Sequence, residues 1–335
     1  MPIATPARAV IVLGLLWAGS TAGSLAAQTG TPTTPEVRAV SYLALEVPRW
    51  RREHPCYSCH NNGDATRALL AAASRGHQIG TALDDTFAWL ATPERWEQNA
   101  LRGGSEELPL ARIQFAGALV SMADAGRTSQ DALDQAAELL IPHQDADGSW
   151  QLNATQLLGG ATSYGRALAT ASARRVLARA QSNTARASRA RADEWLRSFD
   201  VLTVLDASSV MIGLAGGDDQ AAVDQRARCL TLLKDGQGPD GGWGPYVTSR
   251  SEAFDTALAL LALSSLPEAD TTGGGVYSAT ELREVIARGR AYLTASQADD
   301  GSWLETTRPR GLESYAQRVS TTAWVLLALL DSGSN

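Results

Sequence analysis

Apolar residues recur along this chain at helical spacing, in runs that come in pairs. Runs over 132–141, 221–233 and 282–293 each lead into a short polar turn, and each turn leads into a second run, over 164–177, 254–263 and 319–330. The three turns share one pattern, Gln-x-x-Asp-Gly-Ser/Gly-Trp, opening at Gln144, Gln237 and Gln297 and closing at Trp150, Trp243 and Trp303. An Asp-Gly pair predicts a tight turn with positive φ. The flanking Gln and Trp are placed to hydrogen-bond the free ends of the helices on either side. No alternating strand pattern appears, so the chain reads as all-α.

The spacing counts the units. The three tryptophans stand 93 and 60 residues apart, and His60 precedes Trp150 by 90. The two long intervals each have room for a degenerate copy, turning near 96–104 and 199–204. Six helix pairs follow. First helices are expected over 37–49, 80–91, 129–141, 187–198, 220–234 and 280–296. Second helices are expected over 64–75, 109–124, 162–179, 205–215, 252–264 and 318–331. The second set is apolar nearly all round and belongs inside; the first carries Arg and Glu on one face and belongs outside.

The Gln-x-x-Asp-Gly-x-Trp turns resemble the repeats of squalene and oxidosqualene cyclases and of the related protein prenyltransferases. The resemblance implies an α/α toroid, an inner ring of helices inside an outer ring, over about 37–331. It also implies three activities to weigh: cyclising a polyprenyl chain, alkylating a thiol, or serving as a scaffold. Such cyclases protonate an alkene with an aspartic acid of an Asp-x-Asp-Asp motif. The nearest match here is Asp84-Asp85, with Ala82 in place of the first Asp. That would make Asp84 the acid, beside Asp85; alternatively both are first-turn carboxylates favoured by the helix dipole. Cyclases also line their cavity with aromatic rings. Tyr164, Phe254, Tyr315 and Trp324 are the candidates among 20 aromatic residues, set against ordinary core or rim. The prenyltransferase zinc site is missing its histidine, since none follows His143. Cys229 therefore reads as a small buried hydrophobe.

Composition narrows the classes further. The 335 residues are 44% hydrophobic with a net charge of −7, which excludes a general nucleic-acid-binding surface. Lys234 is the one lysine, and no P-loop sequence exists. Eight arginines gather over 166–197, a solvated outer helix and loop or a contact for an anionic surface or head group.

At the N-terminus, Arg8 and an apolar run over 9–18 followed by small residues read as a signal peptide, 1–27, with a flexible lead-in over 28–36. The mature protein is expected to be exported, periplasmic or extracellular. Cys56-Tyr-Ser-Cys59-His60 resembles a c-type haem attachment motif, inserted at 56–60 where a repeat turn belongs. On that resemblance Cys56 and Cys59 would carry haem c and His60 would ligate its iron. His77 is the foremost sixth ligand, with His54, His143 and Met122 behind it. A local disulfide, or zinc held with His54 or His77, are the other readings. The expectation is an exported, haem-bearing toroid in electron transfer, redox sensing or apolar-ligand binding, with a redox partner or an isoprenoid-type ligand. The alternatives are a terpenoid-cyclase-like isomerase and a plain repeat scaffold.

Overall fold

The computed structural model describes residues 33–54, 56–99, 108–152, 164–267, 275–305 and 314–333. The expected signal peptide, and the lead-in up to residue 32, lie outside the described residues. Twelve helices are described: α1 Pro35–Glu53, α2 Ala65–Ser74, α3 Asp84–Leu90, α4 Leu108–Asp124, α5 Gln130–Leu140, α6 Gly165–Leu177, α7 Asn183–Ser198, α8 Val204–Gly213, α9 Gln220–Gly236, α10 Ala253–Ser264, α11 Ala279–Ala295 and α12 Tyr315–Ser332. They form an all-α toroid of six helix pairs. The even-numbered helices touch in sequence, α2 to α4 and onward to α12, and α12 returns to α2. The odd-numbered helices pack outside them.

Local chemistry sets the ends. Outer helices start where a short polar side chain accepts from the third backbone N–H: Ser129, Ser182, Asp219 and Ser278, the last with Glu281 as a reciprocal capping box. α3 is shorter than the expected 80–91. Gly80 sits at φ +54, outside helical space, and Pro93 opens a separate 3-10 turn, Pro93–Gln98. Inner helices are buried on nearly every face; in α10 all four of Ala257, Leu258, Ala259 and Leu260 are fully buried.

The three repeat turns are identical clamps. The indole Nε1 of Trp150, Trp243 and Trp303 donates to the carbonyl of Leu140, Leu233 and Leu293, at 3.0, 2.8 and 2.8 Å. Each carbonyl belongs to the last turns of the preceding outer helix, where acceptors lack an intrahelical partner. Each tryptophan's backbone N–H donates to a threonine of the following inner helix: Thr170, Thr256 or Thr322. The glutamine reaches forward. Gln144 Nε2 donates to Ser188 O on α7, Gln237 Nε2 to Val285 O on α11, and Gln297 Nε2 to Pro35 O on α1, at 2.9 to 3.0 Å. The third contact closes the ring, because the turn after α11 grips the first helix as its siblings grip the next one.

Glycine is required at this closing turn. Gly301 has φ +90, and a Cβ there would lie 2.5 Å from Arg38 O on α1. Gly301→Ala should therefore cost about 2–4 kcal/mol from strained φ and overpacking together. Urea unfolding of the variant checks this. A loss under about 0.5 kcal/mol would mean the seam is loose.

Candidate functional site

Each outer helix passes the chain to an inner one at the same rim, so the six inner helices run parallel. Tyr164, Phe254 and Trp324 meet in the bore of their ring. The ring centroids of Tyr164 and Phe254 lie 6.1 and 6.2 Å from Trp324, both edge-on. These three form a floor. Above it, towards the C-terminal ends of the inner helices, the bore opens as a bowl with two adjoining lobes of about 320 and 250 Å³. All six inner helices line it. Its apolar wall comes from Leu70, Ile212, Leu261, Leu327 and Trp324. Three arginines, Arg67, Arg75 and Arg175, face two carboxylates, Asp124 and Asp331.

Asp64 lies behind the floor, at the start of α2, and only 1% of it is exposed. Its Oδ2 accepts from Gln114 Nε2 at 2.7 Å, from Trp324 Nε1 at 3.3 Å and from the Ser320 hydroxyl. Its Oδ1 faces Arg67 Nη1 at 3.7 Å. The Arg67 guanidinium lies over the Trp324 ring, 4.5 Å from its centroid. Arg175 projects into the concavity from α6. Desolvation by the surrounding walls, and then the charge of Arg67, bring its guanidinium down to about 10. Burial likewise drives the Tyr164 hydroxyl above its usual range.

The sequence did not single out Asp64, Arg67 or Arg175. A signal existed for Arg67: it is a charge in the first turn of an otherwise apolar inner helix. Arg175 lies within the 166–197 cluster, which the structure divides. Arg166, Arg174, Arg175 and Arg179 belong to α6 or the turn after it, and the remaining four to outer helix α7. Of the four candidate aromatics, Trp324 lines the bowl and Tyr164 and Phe254 buttress it. Tyr315 stands at the other rim, donating to Glu46 Oε2 at 2.6 Å. Asp84 and Asp85 are exposed at the start of outer helix α3. Asp85 accepts from the Tyr57 hydroxyl at 3.2 Å. Cys229 is fully buried, and burial pushes its thiol up to about 12.

The Cys-x-x-Cys-His segment has a different role from the one expected. Residues Cys59–Asp64 wind as one π-helical turn that feeds α2, capped by the Ser58 hydroxyl. Its side chains are struts between helices. Asn61 Nδ2 donates to Glu46 O on α1 and to the Tyr315 hydroxyl on α12; Asn62 Nδ2 donates to Thr86 on α3. Gly63 lets α4 approach, since a Cβ there would sit 3.1 Å from Gln114 Cβ. Cys59 packs against the core and His60 is buried in the wall.

These placements overturn the haem c reading and the electron-transfer and redox-sensing roles attached to it. Among the described residues no group of three or more His, Cys, Asp or Glu could hold a metal ion, so zinc falls as well. The proposed ligands are dispersed. His60 and His77 stand at opposite ends of α2, a ten-residue helix about 15 Å long. His77 lines a shallow notch with Thr34 and Arg290. His54 stacks on Trp50 at 3.8 Å, His143 contacts Arg112, and Met122 is fully buried in α4. The redox partner goes with the haem.

No helix among the described residues is long and apolar enough to cross a membrane. No protein-family model matches the chain, and no curated protein matches it. Solved structures do. A type II terpene cyclase from Scytonema, in complex with geranylgeranyl dihydroxybenzoate as substrate, aligns with 89% of this chain and 98% of its own, at TM-score 0.52 and 15% identity. An ent-copalyl diphosphate synthase from Streptomyces platensis aligns over 81% of this chain and 50% of its own, at TM-score 0.51 and 19% identity. A polysaccharide lyase aligns over 89% and 97%, at TM-score 0.51 and 12% identity. Proteins of unrelated chemistry thus match equally well. At these identities the likeness shows the fold, an α/α toroid of the kind built by terpenoid cyclases, and leaves the activity to the site.

Proposed function

We propose that this toroid binds an apolar, isoprenoid-type ligand in the bowl of its inner ring. The observation that carries the reading is the wall itself: Leu70, Ile212, Leu261, Leu327 and the Trp324 ring converge in one concavity built by all six inner helices. Ligand cavities are mostly apolar with a few placed polar groups, and the larger lobe alone, about 320 Å³, reaches the lower end of their usual range of about 300–1,000 Å³. Such a wall suits a prenyl chain better than the many hydroxyls of a polysaccharide. The exported location expected from Arg8 and the apolar run over 9–18 is part of the same proposal.

Binding is favoured over protonation-initiated cyclisation by where the carboxylates stand. An acid for an alkene must be presented to the ligand with its proton aimed. Asp64 is sealed behind Trp324 with Oδ2 accepting three hydrogen bonds, while Asp84 and Asp85 lie on the outer ring. Incubation with squalene or a polyprenyl diphosphate should therefore give no cyclic product by gas chromatography–mass spectrometry. Turnover abolished by Asp64→Asn or Asp84→Asn would replace binding with catalysis. Calorimetric titration with farnesol should show saturable one-site binding, lost in Ile212→Arg, which fills the bowl.

A further inference from the structure

The arginines of the bowl go beyond what an apolar ligand needs. Arg67 has a side chain only 10% exposed, and its Nε is buried with no hydrogen-bond partner among the described residues. Its one carboxylate neighbour, Asp64, is 3.7 Å away, beyond hydrogen-bond range, and Oδ2 of that residue is already engaged. A guanidinium offers five N–H donors, and leaving a buried one without an acceptor is costly. Stacking on Trp324 supplies some compensation and also holds the guanidinium at the boundary between floor and bowl.

Arg175 enters from α6, which is separated from α2 in the inner ring by α4 alone. Both lobes of the bowl are lined by Arg67 and Arg175 together. The side chain of Arg175 is 45% exposed, although protein surrounds it, because it projects into the concavity. Its carboxylate neighbour, Asp124, lies at 3.5 Å and is held more closely by Arg179, at 2.5 Å. Two like charges facing one cavity repel each other until an anion comes between them.

We propose that the ligand of the bowl is an anionic amphiphile, whose carboxylate or phosphate is held between Arg67 and Arg175 while its apolar body lies against Trp324, Leu261, Ile212 and Leu327. The proposal rests on the apolar-ligand reading above and adds the head group to it. Arg75, 3.5 Å from Asp331, lines only one of the two lobes, whereas Arg67 and Arg175 line both.

Four matched probes test this by calorimetry: farnesol, farnesoate, farnesyl monophosphate and inorganic phosphate. At least one of the two prenyl anions should bind about tenfold or more tighter than farnesol, as expected for charge-assisted hydrogen bonds. The tighter of the two identifies the head group. Arg175→Gln should erase that advantage, so that both anions bind the variant no more tightly than farnesol binds the same variant. The variant should fold, since Asp124 keeps Arg179. Arg67→Gln, checked for helicity by circular dichroism, should erase it as well. If farnesol binds as tightly as both anions, or if the advantage survives Arg175→Gln, the head-group assignment is overturned and the apolar-ligand reading stands. If inorganic phosphate binds as tightly as farnesyl monophosphate, the apolar body is not recognised and the amphiphile is overturned. If none of the four binds, both readings fall.

Discussion

Trp243→Ala should destabilise the toroid by about 3–5 kcal/mol, the range for emptying a fully buried large aromatic site. Trp243 has no exposed surface. Its ring lies against Gly289 on α11, where a Cβ would come within 2.8 Å of the indole, so the neighbouring outer helix is shaped to receive it. The truncation also leaves the Leu233 carbonyl at the end of α9 without its indole donor. Trp243→Phe separates the two contributions. It keeps most of the apolar volume and loses only the N–H, so about 1–3 kcal/mol is expected. Urea unfolding followed by circular dichroism reads both variants. A loss below 1 kcal/mol for the alanine variant would show that the tryptophan fills space without clamping its neighbours.

A comparable loss, about 3–5 kcal/mol, is expected for Asp64→Ala. The reason is electrostatic. Gln114 on α4 and Ser320 and Trp324 on α12 all donate to one oxygen, and Arg67 has no other carboxylate beside it. Removing the acceptor takes the carboxylate from beside the Arg67 guanidinium and leaves three neutral donors without an acceptor in the interior behind Trp324. Asp64→Asn retains an acceptor oxygen and should cost less than the alanine. Equal losses for the two, or an alanine loss under 1 kcal/mol, would show that water enters behind Trp324 and satisfies the donors.

The architecture was legible because the forces that build it are periodic. The intervals between the repeat turns counted six pairs, and nearly uniform apolarity separated helices such as α10 from amphipathic partners such as α11. Where a local conformation intervened, as at Gly80 and Pro93 around α3, the pattern overran the helix. The bowl was harder to read. Arg67 and Arg175 come from α2 and α6, and only the packing of both helices against α4 brings them to one cavity. Asp64 was hidden by its context, four residues beyond His60 in a segment whose Cys-x-x-Cys-His spelling pointed to haem. Spelling records residue order; a π-helical turn with Asn61 and Asn62 as struts depends on which helices surround it. A five-residue motif carries no information about those neighbours.

The grip of the last repeat turn on α1 changes what kind of polymer this protein is. A linear stack of helical repeats has two ends, each exposing a face meant for a neighbour, and natural stacks spend extra capping units to cover them. Here Gln297 donates to Pro35, 262 positions earlier in the chain, and Arg290 pairs with Glu36 at 3.3 Å. Each terminal unit is the other's cap, so every repeat is an interior one. The boundary is cyclic, and fraying cannot start from an end because the folded stack has none. The seam instead carries the entropic cost of closure, which grows only slowly with loop length. Opening should therefore begin where the first and last helices meet.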